Sequence, residues 1–520
     1  MNTPEMDLKK KRVVMLLMNP CTHDTRVMKE ATSLTKNGYE VHIVALMKPN
    51  LEVEEVIDGV TIHRVRPAFV RLWCICRVLP MLLFPPGKIP NIAVRKGGGN
   101  KSTVRNLIVC IRNIFVRFFQ YIGIILFFLF IVPVWGFTRL LIFIFKIKNY
   151  KNNDLKPMLV RLASQKSVGE LKRLVGAIFL RGIKWMIRIT RMYSLVLGTL
   201  PYSFRLHSIN FDLCERALLL RPDIIQSHDC NTILGGAMIK KKLSIPLVYD
   251  SHELYLERNI GTRSRWWDKK QWSSIEKKCV KKCDVVMTVS QGIVDHLNNQ
   301  YDRDDVVLVR NVQPYHAPPE RNDLLRTELG IPDDKKIGLY VGAITFNRGV
   351  EELIKAADKL KNTAIVIMGP AINPHYVDEL RAQAEKLGVL GTTIFFRGPV
   401  EPSQVLEYVA SADIGVVPTQ ACCLSYEFES SNKIFHCVMA GVPLAMSNHI
   451  EKRILQETYG IGVLFDETDP TNIAKVIDDF VLDEAKTENC ANNCLEAAKE
   501  LCWEKEEQRL LGAFKRLPTS

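Results

Sequence analysis

Residues 336–354 read KIGLYVGAITFNRGVEELI, and their reading decides the fold. Lys336–Ile344 is an apolar run with the length and β-branching of a buried strand, and a helix begins near Val350. The loop between them carries Gly342, Asn347, Arg348 and Gly349. Gly342 permits close backbone approach, the helix start offers free N–H groups, and Arg348 adds a permanent positive charge. Together these suit a diphosphate.

The same alternation extends in both directions. Downstream, strand signals fall at Thr363–Met368, Thr392–Arg397, Ile414–Pro418, Pro443–Ser447 and Gly462–Phe465, each separated by a helical stretch. Upstream they fall at Arg12–Met18, Glu40–Leu46, Val60–Arg66, Asp223–His228, Pro246–Asp250 and Asp284–Ser290, with a helix over Asp24–Lys36. Strands alternating with helices predict parallel sheets covered on both faces. Two such series give an α/β chain of two Rossmann-like domains, joined near Asn311–Pro319, with a cleft at the strand C-termini. The expected divisions are residues 1–67 with 207–312, an insert over 68–206, and a second domain over 313–486. The last helices, 487–520, carry Trp503 and could cross back onto the first domain.

Composition narrows the class. The chain has 520 residues, 47% hydrophobic and 24% charged, which fits folded domains and exceeds one core. Its 14 cysteines are scattered, and the pairs Cys74/Cys76, Cys279/Cys283 and Cys490/Cys494 lack the second half of a zinc pattern. Reduced, mostly buried thiols are expected, Cys422 and Cys423 being structural. Lys9–Met18 is too short for a secretory h-region and reads as the first strand.

The net charge of +14 is concentrated in the insert. Between His63 and Phe204 about two dozen lysines and arginines accompany only two acids, Asp154 and Glu170. Phe118–Thr138 carries no charge and is long enough to cross a bilayer core of about 30 Å. A single crossing would leave the two halves of one sheet on opposite sides of the membrane. The segment is therefore expected to re-enter, to form a hairpin or to lie in the interface. Arg173, Arg181, Lys184, Arg188 and Arg191 form a stripe beside an apolar face, the pattern of a helix on anionic headgroups. Basic residues interleaved with apolar runs favour an anionic membrane over nucleic acid.

No HExxH, Walker loop or GxGxxG occurs, and the acidic Asp302-Arg303-Asp304 sits in a polar turn. Besides the Gly342–Gly349 loop, the informative stretches are His23-Asp24-Thr25-Arg26, Gln226-Ser227-His228-Asp229 and Tyr249-Asp250-Ser251-His252-Glu253. To these add Arg310-Asn311 and Glu427-Phe428-Glu429 through Asn432-Lys433 to Pro443. In this combination the chain resembles a GT-B-fold glycosyltransferase, most similar to glycosyltransferase family 4. The resemblance implies a nucleotide-sugar donor in the C-terminal domain, an acceptor in the N-terminal one, retention of anomeric configuration and no metal or other cofactor. It gives His228, Arg348, Lys433 and Glu429 catalytic roles. It places Gly342, Asn347, Arg348, Gly349, Arg397, Glu427, Asn432, Lys433 and His436 around the donor. Asp24, Arg26, His252 and Glu253 are expected on the acceptor side.

One departure is clear. The family usually has two glutamates eight positions apart; here the second position is His436 and the first is Phe428, flanked by Glu427 and Glu429. Histidine can still hydrogen-bond a ribose hydroxyl. The expected function is transfer to a membrane-proximal or lipid-linked glycan in surface polysaccharide synthesis, at the cytoplasmic face of a bacterial inner membrane. The competing readings are a non-catalytic GT-B binding protein, motivated by His436, and a nucleotide-sugar epimerase.

Overall fold

The computed structural model describes residues 10–22, 24–67, 202–258 and 266–518. The chain divides into two compact units, Met1–Val65 with Asn210–Ser520, and Arg66–Ile209. Phe118–Thr138, the Arg173–Arg191 stripe and His23 lie outside the described residues. Among those described, no helix is long and apolar enough to cross a membrane.

The larger unit holds two sheets. The first runs β3-β4-β2-β1-β5-β6-β7-β8. Its strands are β1 (Arg12–Leu16), β2 (Glu40–Leu46), β3 (Glu54–Ile57), β4 (Val60–Val65), β5 (Ile224–His228), β6 (Leu247–Ser251), β7 (Val285–Thr288) and β8 (Val307–Leu308). Every pairing is parallel except β3 with β4. The second sheet runs β11-β10-β9-β12-β13-β14 and is parallel throughout. It comprises β9 (Lys336–Val341), β10 (Thr363–Met368), β11 (Ile394–Arg397), β12 (Ile414–Val417), β13 (Leu444–Ser447) and β14 (Gly462–Phe465). All six residues of β10 are buried, as a strand covered on both faces requires.

Several strands end one to three residues short of the sequence expectation. Lys336–Ile344 stops at Val341 because the chain turns at Gly342, whose φ is +135°. The expected helix at Asp24–Lys36 is Thr25–Lys36, with Asp24 outside it as a cap accepting from the Val27 N–H. Neither β3 nor the two-residue β8 has a sequence signal of its own. β3 is an edge strand of sequence EEVI, mostly exposed.

The chain does cross back. The helix Trp503–Lys515 places Trp503, Leu510, Ala513 and Phe514 in the core formed by β1, β2 and the helix Thr25–Lys36. The Trp503 indole donates to Ser33 Oγ at 3.0 Å, Lys29 Nζ lies 4.9 Å from its ring, and Phe514 meets Tyr39 edge-on at 5.8 Å. The fully buried Glu506 accepts from the Arg310 N–H at 3.1 Å. The C-terminal helix thus completes the N-terminal domain. Trp503→Ala is expected to cost about 3–5 kcal/mol, as for other large buried aromatics. Urea unfolding measures this, and an unchanged midpoint would show that the helix adds nothing to that core.

Candidate active site

Apart from the antiparallel edge strand β3, the strand order reverses once in each sheet, between β1 and β5 and between β9 and β12. Ligands of open α/β sheets bind outside the strand C-termini at such points. Each has a cavity there. The first, about 450 Å³, is lined by Val341, Gly342, Arg348, Pro399, Val400 and Glu429 together with Asn432, Lys433 and His436. The second, about 540 Å³, is lined by Asn19, Asp24, Arg26, His252 and Asn311, and again by Asn432. Asn432 belongs to both, and Asn311 Nδ2 reaches its Oδ1 at 3.5 Å, so the two cavities adjoin across the domain boundary.

The first cavity owes its shape to two glycines. A Cβ at Gly342 would come within 2.9 Å of Lys433 Cε. At Gly349 (φ +79°) it would strike the Pro418 carbonyl at 1.9 Å, so only glycine brings this loop against the end of β12. Arg348 is thereby set to donate from Nη1 to Glu429 Oε2 at 2.6 Å, with its guanidinium 4.4 Å from the Tyr426 ring. Thr419 donates to the other Glu429 oxygen at 2.8 Å. The helix Asn432–Met439 buries Ile434, Phe435, Cys437 and Val438 in the core, which leaves Asn432, Lys433 and His436 on the cavity side.

Charge in this cavity is held against burial. Burial opposes the Glu429 charge, but Arg348, then Lys452 and Lys433, outweigh it and hold the carboxyl below its ordinary range. Burial, then the Arg348 charge, push Lys433 down to about 8; its Nζ lies 5.1 Å from the Tyr340 ring centroid. Burial, then Lys433, push His436 down to about 4, so it is neutral, and its buried Nδ1 has no partner.

The second cavity backs onto a charged cluster. Arg26 donates to both Asp250 oxygens, at 3.0 and 2.7 Å, and to the Val309 carbonyl at 2.8 Å. His252 Nε2 meets the same carboxylate at 2.9 Å. Burial disfavours the imidazolium, yet Asp229 and Asp250 push His252 up to about 10. His228, Asp250 and His252 bring metal-ligand atoms within 4.8 Å of one another. With the Asp250 carboxylate committed to Arg26 and His252 protonated, that donor set does not suit a cation.

Of the remaining expected site residues, Asp24 lines the second cavity and the others line neither. His228 is fully buried behind His252 and lines neither cavity. Arg397 points to Glu328 and Tyr408, while its neighbours Pro399 and Val400 line the first cavity. Glu427 accepts from the Ile450 N–H, Glu253 pairs with Arg258, and Asn347 sits at φ +62° with its carbonyl accepting from Gln420. Asp24 takes Asn19 Nδ2 at 2.8 Å while capping its helix. Sequence reasoning missed Asn19, Thr419, Tyr426 and Lys452. Of these Asn19 and Thr419, each just beyond a strand C-terminus, occupy positions that the fold marks.

The folded state holds the Lys433 proton less tightly than the unfolded chain. Its charge therefore costs stability below about pH 8, and the cost disappears as pH rises from about 8 to 10.5. Lys433→Met is expected to raise the melting temperature at pH 7, by an equivalent of order 2 kcal/mol, and to lose that advantage by pH 10. A variant that melts earlier than wild type at pH 7 would show that Glu429 depends on this cation.

The chain matches glycosyl transferases group 1 over residues 322–497 and glycosyltransferase family 4 over residues 167–312. It is 27% identical over 284 residues to an uncharacterized glycosyltransferase of Methanocaldococcus jannaschii, covering 52% of this chain and 69% of that one. Some other curated relatives are spanned over little more than half their length. The structure is similar to sucrose-phosphate synthase from Thermosynechococcus elongatus, with TM-score 0.63, 12% identity and coverage of 98% and 99% of the two chains. It is also similar to Anabaena HepE in complex with UDP, with TM-score 0.51, 17% identity and coverage of 58% and 82%. With both domains matched and both sheets in place, the chain is a GT-B-fold glycosyltransferase resembling family 4.

Proposed function

We propose that this glycosyltransferase moves a hexose from a nucleotide-diphosphate donor, with retention and without a metal, to a membrane-proximal or lipid-linked glycan in surface polysaccharide synthesis. The observation that carries the donor assignment is the convergence of Arg348, Lys433 and Glu429 on one cavity at the β9/β12 switch point. Two cations there compensate the charge that develops on a leaving nucleoside diphosphate, which is what a divalent ion does in other transferases. Glu429 faces the sugar side, and neutral His436 offers a hydrogen-bonding nitrogen to a ribose hydroxyl. The structural neighbour HepE binds UDP, which agrees with a nucleotide ligand. The adjoining second cavity, with His252 and Asp24 on its wall, takes the acceptor.

The acceptor class rests on the sequence of the insert. An uncharged 21-residue stretch and a basic stripe bring a catalytic domain to an anionic surface on the cytoplasmic side. The acceptor hydroxyl is then presented at the bilayer.

Purified protein assayed with UDP-, GDP- and ADP-sugars is expected to release nucleotide with one class, equally in EDTA. Loss of turnover in EDTA that magnesium or manganese restores would overturn the metal-free reading. Arg348→Ala is expected to lower kcat/KM for the donor by the equivalent of about 2–4 kcal/mol. Unchanged kinetics would remove Arg348 from the mechanism. For the membrane, vesicles containing phosphatidylglycerol should retain the protein in a flotation assay, with high salt weakening attachment and detergent needed for full release. Full-length protein that stays soluble and monomeric without detergent contradicts this assignment.

A further inference from the structure

Lys452 is among the largest fully buried side chains in the described chain, and neither cavity exposes it. It lies in the first turn of the helix Ile450–Tyr459, where the helix dipole disfavours a cation. A lysine there is costly unless its ammonium is used. Its Nζ donates to Ser447 Oγ at 2.7 Å and sits 3.1 Å from His449 Nδ1, with His449 Nε2 in turn 3.1 Å from Glu467. Ser447 closes β13 and its Oγ donates to the Val417 carbonyl at 3.4 Å, two residues before Thr419, which donates to Glu429. The ammonium is thus anchored beside the strand end that holds that carboxylate. Glu429, then Glu467, support its charge and Arg348 opposes it; with burial the largest influence, the group is pushed down to about 8.

Without ligand, Glu429 is held by Arg348 and Thr419. Arg348 and Lys433 both face the cavity, so an incoming diphosphate competes with Glu429 for them. Lys452 cannot be drawn away in this manner, because it does not reach the cavity.

We propose that Lys452 is a positioning residue of the donor site: from behind, its anchored ammonium keeps the Glu429 carboxylate in place when Arg348 turns to the donor phosphates. The proposal rests on the donor reading of this cavity. Without Lys452, Glu429 holds Arg348 more tightly and the phosphates lose part of that cation.

The test is calorimetric titration with UDP, GDP and ADP, followed by donor kinetics, on wild type, Lys452→Met, Glu429→Gln and the double variant. Lys452→Met is expected to weaken the nucleoside diphosphate about tenfold and to raise KM equally, with kcat changed less than threefold. In the Glu429→Gln background the same substitution should change affinity less than twofold. A loss that persists undiminished in that background shows a merely structural lysine and overturns the proposal. So does wild-type affinity in Lys452→Met. Wild type that binds none of the three nucleotides overturns the donor reading itself, and this proposal with it. Should Lys452→Met not fold, Ser447→Ala removes the anchor instead. It should weaken binding in the same direction by about threefold, and unchanged binding would overturn the proposal.

Discussion

The Arg26 guanidinium is 3% exposed and placed where three pieces of chain meet. It comes from the helix after β1, grips Asp250 on β6 with two hydrogen bonds, and holds the Val309 carbonyl just beyond β8. Burying such a pair is costly, and removing one partner commonly destabilises by about 3–5 kcal/mol because the other charge is left uncompensated. Glu30, one turn along, adds a second carboxylate at 3.1 Å, and burial, then Asp250, hold its proton on more firmly than usual. The order of charges is therefore fixed: Arg26 and His252 positive, Asp250 negative. This arrangement positions His252 on the second cavity, and through Val309 it ties that part of the first domain to the segment leading into the second domain.

The C-terminal domain solves the complementary problem. On the proposed donor reading its cavity presents cations to a ligand, so they cannot be fully neutralised by the protein. Arg348 pairs with one carboxylate, Glu429, the charges of Lys452 and Lys433 also favour its ionised form, and an anionic ligand would complete the balance. Burial pushes both lysines down, which makes the ligand-free site hold its charge reluctantly. An electrostatic site of this kind is preorganised at a cost in stability, a common trade at binding sites.

The sheets were legible because parallel strands buried on both faces read as continuous apolar runs; Thr363–Met368 has the same limits in sequence and structure. Strand ends were not, since a strand stops where its pairing stops and not where hydrophobicity does. Arg348 could be named from sequence because a glycine loop and a helix start give it a mechanism, whereas Lys433 and Glu429 were named through the family resemblance. Lys452 could not: a lysine beside a glutamate on a helix reads as a solvated face, and only tertiary packing encloses it. His228 shows the limit from the other side. It ends β5 as expected, yet the Asp250–His252 pair occupies the space in front of it.

The two domains are also joined through the segments around Glu429 and Lys452. Glu451, next to Lys452 and fully buried, accepts from the Gly292 N–H at 2.9 Å, at the start of the helix Gln291–Tyr301 in the first domain. A carboxylate there satisfies an N–H that the helix leaves unpaired and complements its dipole. Gly292 is required by this contact, since a Cβ would come within 2.6 Å of Phe428. Phe428 immediately precedes Glu429, and Glu451 immediately precedes Lys452. The residues that seat the first domain thus stand next in sequence to Glu429 and Lys452. Glu429 and Lys452 are therefore each one peptide unit from a residue of the interdomain contact, so that contact and the charges around Glu429 are fixed by the same two short segments.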